Sequence, residues 1–248
     1  MTLEYPFCGE LLLLHSSGAA FLTSSRTLAV ADLHFEKGSS YNARGTLLPP
    51  YDTRRTLEGL QAAIRAFAPK RIVWLGDSFH DGEAYARLHR EDAARLMQLS
   101  AGARSVWIAG NHDPDLPADL GGVARKEWRH AGLTFRHRAD AAAEAGEISG
   151  HYHPKAVVRT RSRTVSRRCF VADGRRLILP AFGAYAGGLN VMDDALAQLF
   201  PRSMETYVIG DSRVYRIPAK RLCGPRTDRR GGAPWVTVDT GGTGDLTI

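Results

Sequence analysis

Short apolar runs broken by Ser and Gly fill the first thirty residues. "ELLLLHSSGAAFLTSSRTLAVAD" reads as a series of short strands, with "HSSGA" as a hairpin turn. The period then changes. Between Asp52 and Phe67, the residues Leu57, Leu60, Ile64 and Phe67 recur at helical spacing, with Asp52 placed to cap the start and Pro69 just past the end. That pattern predicts an amphipathic helix. "RIVWLGD" predicts a strand entering a turn, and "GEAYARLHREDAARLMQLSAG" a second helix with Leu88, Leu96 and Leu99 on its apolar side. Further strands are predicted in "SVWIAGNHDP", "LTFRHRA", "EISGHYHP" and "RLILPAF". Alternating strands and helices predict an α/β domain over residues 1–220. From residue 221 onward, Gly, Thr, Asp and Arg dominate without periodicity, which predicts a mostly disordered tail over 221–248.

Composition limits the field. A chain of 248 residues builds one substantial core rather than two large ones. The net charge of +7 suits an anionic partner such as nucleic acid or a phosphate ester, and suits solubility equally well, so position must decide. Cys8, Cys169 and Cys223 are scattered without CxxC spacing, which argues against a disulfide framework or a thiolate metal site and fits a reducing cytoplasm. The run Leu11 to Leu14 is too short to span a membrane, and "MTLEYPFCGE" lacks a basic leader. A cytoplasmic protein without a membrane partner is expected.

The chemistry gathers at strand ends. Strand-like segments terminate in Asp32 and His34, in Asp77, in Asn111 with His112, in His137, and in His151 with His153. In open α/β sheets, ligands bind beyond the carboxyl ends of strands, where several segments converge on a rigid support. Carboxylate, amide and imidazole donors without a thiolate suit Mn²⁺, Fe or Zn²⁺, whereas Mg²⁺ alone would want fewer histidines. If the DxH segment is extended, Asp32 and His34 point the same way and reach one ion together. Gly76, Gly110 and Gly150 each precede a candidate ligand, where a small residue lets the chain enter a crowded site.

In this order, "DLH", "GD", "GNHD", a strand-end His and "GHYH" resemble the motifs of the calcineurin-like metallophosphoesterase superfamily, over roughly residues 32 to 153. Within it, "ADLHFEKG", "GDSFHD", "GNHDP", "ISGHYHPKA" and "LILPAFGAYAGGLN" resemble the bacterial ligase-associated DNA-damage-response endonuclease family. The resemblance implies a β-sandwich flanked by helices, with two divalent metal ions, Mn²⁺ foremost, at the carboxyl ends of strands. Asp32, His34, Asp77 and His153 would hold one ion, and Asp77, Asn111, His137 and His151 the other. His137 competes with His130, which precedes rather than follows the run "LTF". The implied reaction is hydrolysis of a phosphodiester by metal-activated water, with His112 assisting the leaving group and Asp113 orienting it.

The substrate implied is DNA in a repair context, with a DNA ligase and a helicase as partners by resemblance alone. A small nucleotide or lipid-linked phosphodiester would use the same ligands, and a non-catalytic scaffold of this fold would lack some of them. His80 and Asp81 follow the bridging carboxylate, where they touch substrate, orient ligands or cap a helix. In "PKAVVRTRSRTVSRR", an extended segment would place Arg159, Arg161 and Arg163 on one face like successive phosphate contacts. A solvated edge strand would carry the same charges.

Overall fold

A computed structural model describes residues 2–160 and 163–224. The first sheet runs in chain order through β1 (Thr2–Phe7), β2 (Glu10–His15), β3 (Ala20–Leu22), β4 (Thr27–Val30), β5 (Arg71–Trp74), β6 (Arg104–Ile108) and β7 (Val123–Arg125). The second contains β8 (Glu127–His130), β9 (Leu133–Arg136), β10 (Glu147–Ser149), β11 (Lys155–Arg159), β12 (Thr164–Ala172), β13 (Arg176–Ile178), β14 (Glu205–Ile209) and β15 (Val214–Ile217). Its spatial order is β15-β14-β12-β13-β10-β9-β8, with β11 paired to β12.

The two sheets face each other across Phe7, Leu12, Leu14, Phe135, Ile148 and Phe170, all buried. Alternation explains this layer: on a strand every second side chain meets the partner sheet. The opposite face of the first sheet packs against α2 (Asp52–Phe67) and, beyond α3 (Ala84–Arg87), against α4 (Arg90–Ala101). Leu57 and Leu60 of α2 and Leu96 and Leu99 of α4 share that core with Trp74 and Trp107, whose rings stack at 4.1 Å. Each such buried side chain contributes about 1.5–3 kcal/mol. The sandwich is therefore flanked by helices, in an α/β arrangement.

β4, β5 and β6 are mutually parallel, as are β9, β10 and β13. A bridge between Ala31 and Ala181, just past β4 and β13, brings the carboxyl ends of both trios to one rim.

Three expectations need correction. Asp52 is the first residue of its helix rather than the cap, which is Tyr51; its carboxylate instead accepts the Gly38 N–H at 2.8 Å, tying α2 to the preceding α1 (Lys37–Ala43). The second helix is two helices, because Leu88 and His89 are extended and Leu88 turns toward the helix-layer core, while the guanidinium of Arg87 is held by Asp81 and Ser39. The folded chain also passes residue 220: Cys223 N–H donates to the Val157 carbonyl at 2.8 Å. The tail expected beyond it, 225–248, lies outside the described residues.

Candidate active site

Past Val30, the chain leaves strand geometry at once. Asp32 and His34 have φ of 54° and 46°, and Asp77, His151 and His153 have φ of 46°, 71° and 46°. The DxH segment is thus not extended, as its spacing suggested. Left-handed residues punctuate it, and Asp and His tolerate that region better than branched residues do. Backbone bonds lock the turns together: His34 N–H donates to Asp77 O at 2.9 Å and Asp32 N–H to Gly76 O at 3.2 Å. Such conformations persist only where neighbouring structure over-determines them, and they concentrate at functional sites.

Three trios of donors result among the described residues: His34, His80 and His112 form one without a carboxylate, and two contain a carboxylate. His34 Nε2 lies 3.2 Å from His153 Nε2, and Asp32 Oδ1 lies 3.5 Å from the latter. Beside them, His137 Nε2 lies 3.1 Å from His151 Nδ1 and 3.3 Å from Asp77 Oδ2. His137 Nδ1 faces the Leu75 carbonyl at 2.9 Å; a carbonyl only accepts, so Nδ1 carries the proton and Nε2 is left for an ion. His130, its competitor, bonds Arg71 at the amino end of β5, on the opposite rim. Asn111 and His112 stand exposed at the edge of the site, and the His112 N–H donates to Asp77 Oδ1 at 2.9 Å.

The close approach requires glycine. A methyl on Gly110 would stand 2.2 Å from the Asp77 nitrogen, and one on Gly150 would stand 2.6 Å from Asp32 Oδ2.

Do these residues fit a metal? Asp32 and Asp77 are 0% and 3% exposed, and their only ion-pair partners among the described residues are histidines. Buried carboxylates need positive charge nearby. Each of the trios Asp32, His34, His153 and Asp77, His137, His151 brings three candidate donor atoms within 4.8 Å of one another. A divalent ion supplies the missing charge and uses the converging lone pairs, so the donor set fits one.

Without an ion, burial pushes the Asp77 carboxyl up, but the hydrogen bond and charge of His137 outweigh it and hold the carboxyl well below its usual range. Burial likewise pulls His137 down, and its bond to Asp77 with the charges of Asp32 and Asp77 overcomes this, raising it to about 9. His34 is driven down, first by burial and then by His153. His151 is lowered by burial and by the charge of His137.

His112 is not oriented by Asp113. Its Nδ1 meets the carbonyl oxygen of His80 at 2.7 Å, so Nδ1 is the protonated nitrogen and Nε2 is the other. The rings of His80 and His112 stack at 5.2 Å. Asp113 turns inward, 3% exposed, and accepts the N–H groups of Asp77, Ser78, Phe79 and Gly110 at 2.7–3.1 Å. It joins the two ligand-bearing loops. Burial raises its carboxyl to about 6, helped by the Asp77 charge and opposed by those N–H groups. Burial and the charge of Lys37 lower His80 to about 4. Asp81, predicted beside it, is paired instead with Arg87 at 2.8 Å.

The arginine segment also differs. Arg159 pairs with Thr164, and Thr160 donates both its N–H and its hydroxyl to the Arg163 carbonyl, so the chain reverses between β11 and β12. Arg159 and Arg163 stand near the hairpin tip, about 13 Å along the strand from Lys155 at about 3.3 Å per residue. Arg161 lies outside the described residues.

The sequence model of the calcineurin-like phosphoesterase family matches residues 25–181, more than half of the chain and all of the candidate metal ligands. This chain belongs to that family. The calcineurin-like phosphoesterase is accordingly a metal-dependent hydrolase acting on phosphoesters. Among solved structures, it is similar to a nuclease, MPE, of Pseudomonas putida, with 24% identity and a TM-score of 0.69 over 88% of this chain and 100% of that one. A protein of unknown function from Aquifex aeolicus is more distant, at 16% identity and a TM-score of 0.33 over 55% of this chain and 81% of that one. No curated protein sequence matches the chain.

One contributor to this phosphoesterase's site was missed from sequence and a second stands between two readings there. The His80 main-chain carbonyl that holds His112 has no side-chain signature. Lys37, at the start of α1, stands 5.9 Å from the Tyr41 ring centroid, whose ring is 5.9 Å from that of His80. In the sequence it stands three residues after the DxH motif, in "FEKG", where approaching substrate and shaping the turn at Gly38 are both open.

Proposed function

We propose that this phosphoesterase is a binuclear phosphodiesterase acting on DNA, as an endonuclease in repair. The observation that carries the binuclear part is the pair of adjacent donor trios, Asp32, His34, His153 and Asp77, His137, His151. In this reading Asp77 would be shared by the two ions, Asn111 would help hold the second, and Mn²⁺ would suit the mixed oxygen and nitrogen donors. When bound, the ions supply Lewis-acid charge to the phosphate and acidify water.

The chain's own residues do the rest. His112 holds its Nδ1 proton on the His80 carbonyl and presents Nε2, which, protonated, donates to the departing alkoxide oxygen. Asp113 keeps the Asp77 and Asn111 loops in register through four N–H bonds. The DNA assignment is supported by the net charge of +7 and by the fold shared with a nuclease. His80 lies against His112 and reaches the substrate side through that ring, while Arg159 and Arg163 offer phosphate contacts further out.

The test compares, with Mn²⁺ supplied, hydrolysis of bis(p-nitrophenyl) phosphate, p-nitrophenyl phosphate, and single- and double-stranded DNA across a salt series. DNA cleavage that falls steeply with salt, above a shallow dependence for the small diester, is expected. Turnover of the small diester with no product from either DNA would leave the nucleotide or lipid-linked substrates instead.

A further inference from the structure

Two cavities flank the row of ligand residues, and each is lined by cations. The first, about 350 Å³, is lined by Ser17, Arg55 of α2, Arg167 and Arg168 of β12, Phe182 and the acid Asp211, among others. The second, about 360 Å³, is lined by Lys126, Glu127, Arg136 and Arg138 beside the ligands Asn111 and His137. Both volumes are of ligand-site size.

Not every cation is available. Arg168 donates to the Ala181 carbonyl, and Arg136 pairs with Glu127, Asp140 and Glu147. Arg55 and Arg167 on one side, and Lys126 and Arg138 on the other, form no ion pair among the described residues. Facing each pair is a single lining acid, Asp211 or Glu127.

The strand order fixes where these cavities stand. The β2–β3 turn carrying Ser17 lies at the rim beside β4, since Ala20 pairs with Ala29. Across the gap, Arg168 lies at the carboxyl end of β13. Next come Asp32 after β4, Asp77 after β5 and Asn111 after β6, and finally Lys126 directly after β7, where Ile108 pairs with Arg125. In the second sheet the order β12-β13-β10-β9 likewise runs from Arg167 through His151 to His137 and Arg138. From β4 to β7 is three strand spacings, about 14 Å at about 4.8 Å each. A small ester bound at the ligands does not span from one pair to the other. A string of phosphates reaches both.

We infer that a polynucleotide strand lies across the rim in the β4-to-β7 direction, with one flanking phosphate in the Arg55–Arg167 cavity and another in the Lys126–Arg138 cavity. This rests on the nuclease reading and gives that reading a direction and a footprint. Phosphate contacts of this kind position a strand without reading its sequence.

The experiment uses the full chain with Mn²⁺, comparing kcat/KM for a long single-stranded oligonucleotide and for bis(p-nitrophenyl) phosphate in wild type, Arg55→Ala, Lys126→Ala and the double variant. Both substituted residues are exposed, so folding should survive, and circular dichroism checks it. Each single variant is expected to lower the oligonucleotide value about fivefold more than the small-ester value, and to reduce the slope of log kcat/KM against log salt by about 0.7 per lost contact. The double variant should combine both losses, and a dinucleotide should show neither. Equal losses on both substrates, or none on the oligonucleotide, overturn the two-cavity track while leaving the nuclease reading intact. A wild type that hydrolyses the small ester but no polynucleotide overturns the nuclease reading, and the track with it.

Discussion

His112 shows how much one side chain's role depends on a backbone atom. The carbonyl of His80 fixes which nitrogen bears the proton, and thereby which nitrogen faces a leaving group. His112→Ala should cost about 10²–10⁴ in kcat for diesters with poor leaving groups and far less for p-nitrophenyl esters, whose leaving oxygen needs little help. Metal content measured on the same protein should be unchanged. An equal loss on both classes of ester would mean that His112 positions substrate rather than delivers a proton.

With His137 and Asp77 as ligands, metal loading is expected to depend on pH. His137 is raised to about 9, so near neutrality its imidazole is protonated when no ion is bound, and an ion takes only the neutral form. Loading therefore expels a proton, and apparent affinity should climb about tenfold per pH unit from near neutrality toward pH 9, then level. Calorimetry in buffers of different ionisation enthalpy should count the released proton. The sign for folding of the metal-free chain is opposite. A raised histidine stabilises below its unfolded value near 6.5, and that stabilisation fades as pH rises through about 9.

At the scale of elements, the boundaries of α2 were legible because Leu57, Leu60, Ile64 and Phe67 share one side and Pro69 cannot continue the helix. The rim was legible too, since apolar runs ending in Asp and His mark strand ends. The reversal between Arg159 and Thr164 was not: "TRSR" has no Gly or Pro, and alternating Arg reads as strand. The break at Leu88 was hidden because helical residues flank it on both sides. Asp113 was misread for a related reason. The resemblance made it the orienter of His112, but adjacent residues diverge, and Asp113 points inward to the loop amides. The ligand-preceding glycines have a sharper consequence. Gly110→Ala forces a methyl to 2.2 Å from the Asp77 nitrogen and from its carboxylate, so the two loops must separate. Expected are a lower melting temperature in the metal-free chain and a loss of more than about tenfold in metal affinity, the range seen when supports of a metal site are removed. Unchanged Mn²⁺ affinity by calorimetry would show that the loops tolerate the separation.

Across the whole molecule, the two sheets solve one problem from opposite sides. Parallel trios in each sheet bring their carboxyl ends to a shared rim, and residues from Asp32 to His153 meet there although 121 positions separate them in sequence. Rigidity comes from the cores behind, with Trp74 and Trp107 under the first sheet and Phe135 and Phe170 between the sheets. Among the described residues, no helix is long and apolar enough to cross a membrane. The central claim, that two ions joined by Asp77 carry phosphodiester hydrolysis, is tested by titrating Mn²⁺ into the metal-free chain while following bis(p-nitrophenyl) phosphate turnover. Activity should rise to a plateau at two ions per chain. A plateau at one ion, or full turnover with none, would contradict the account.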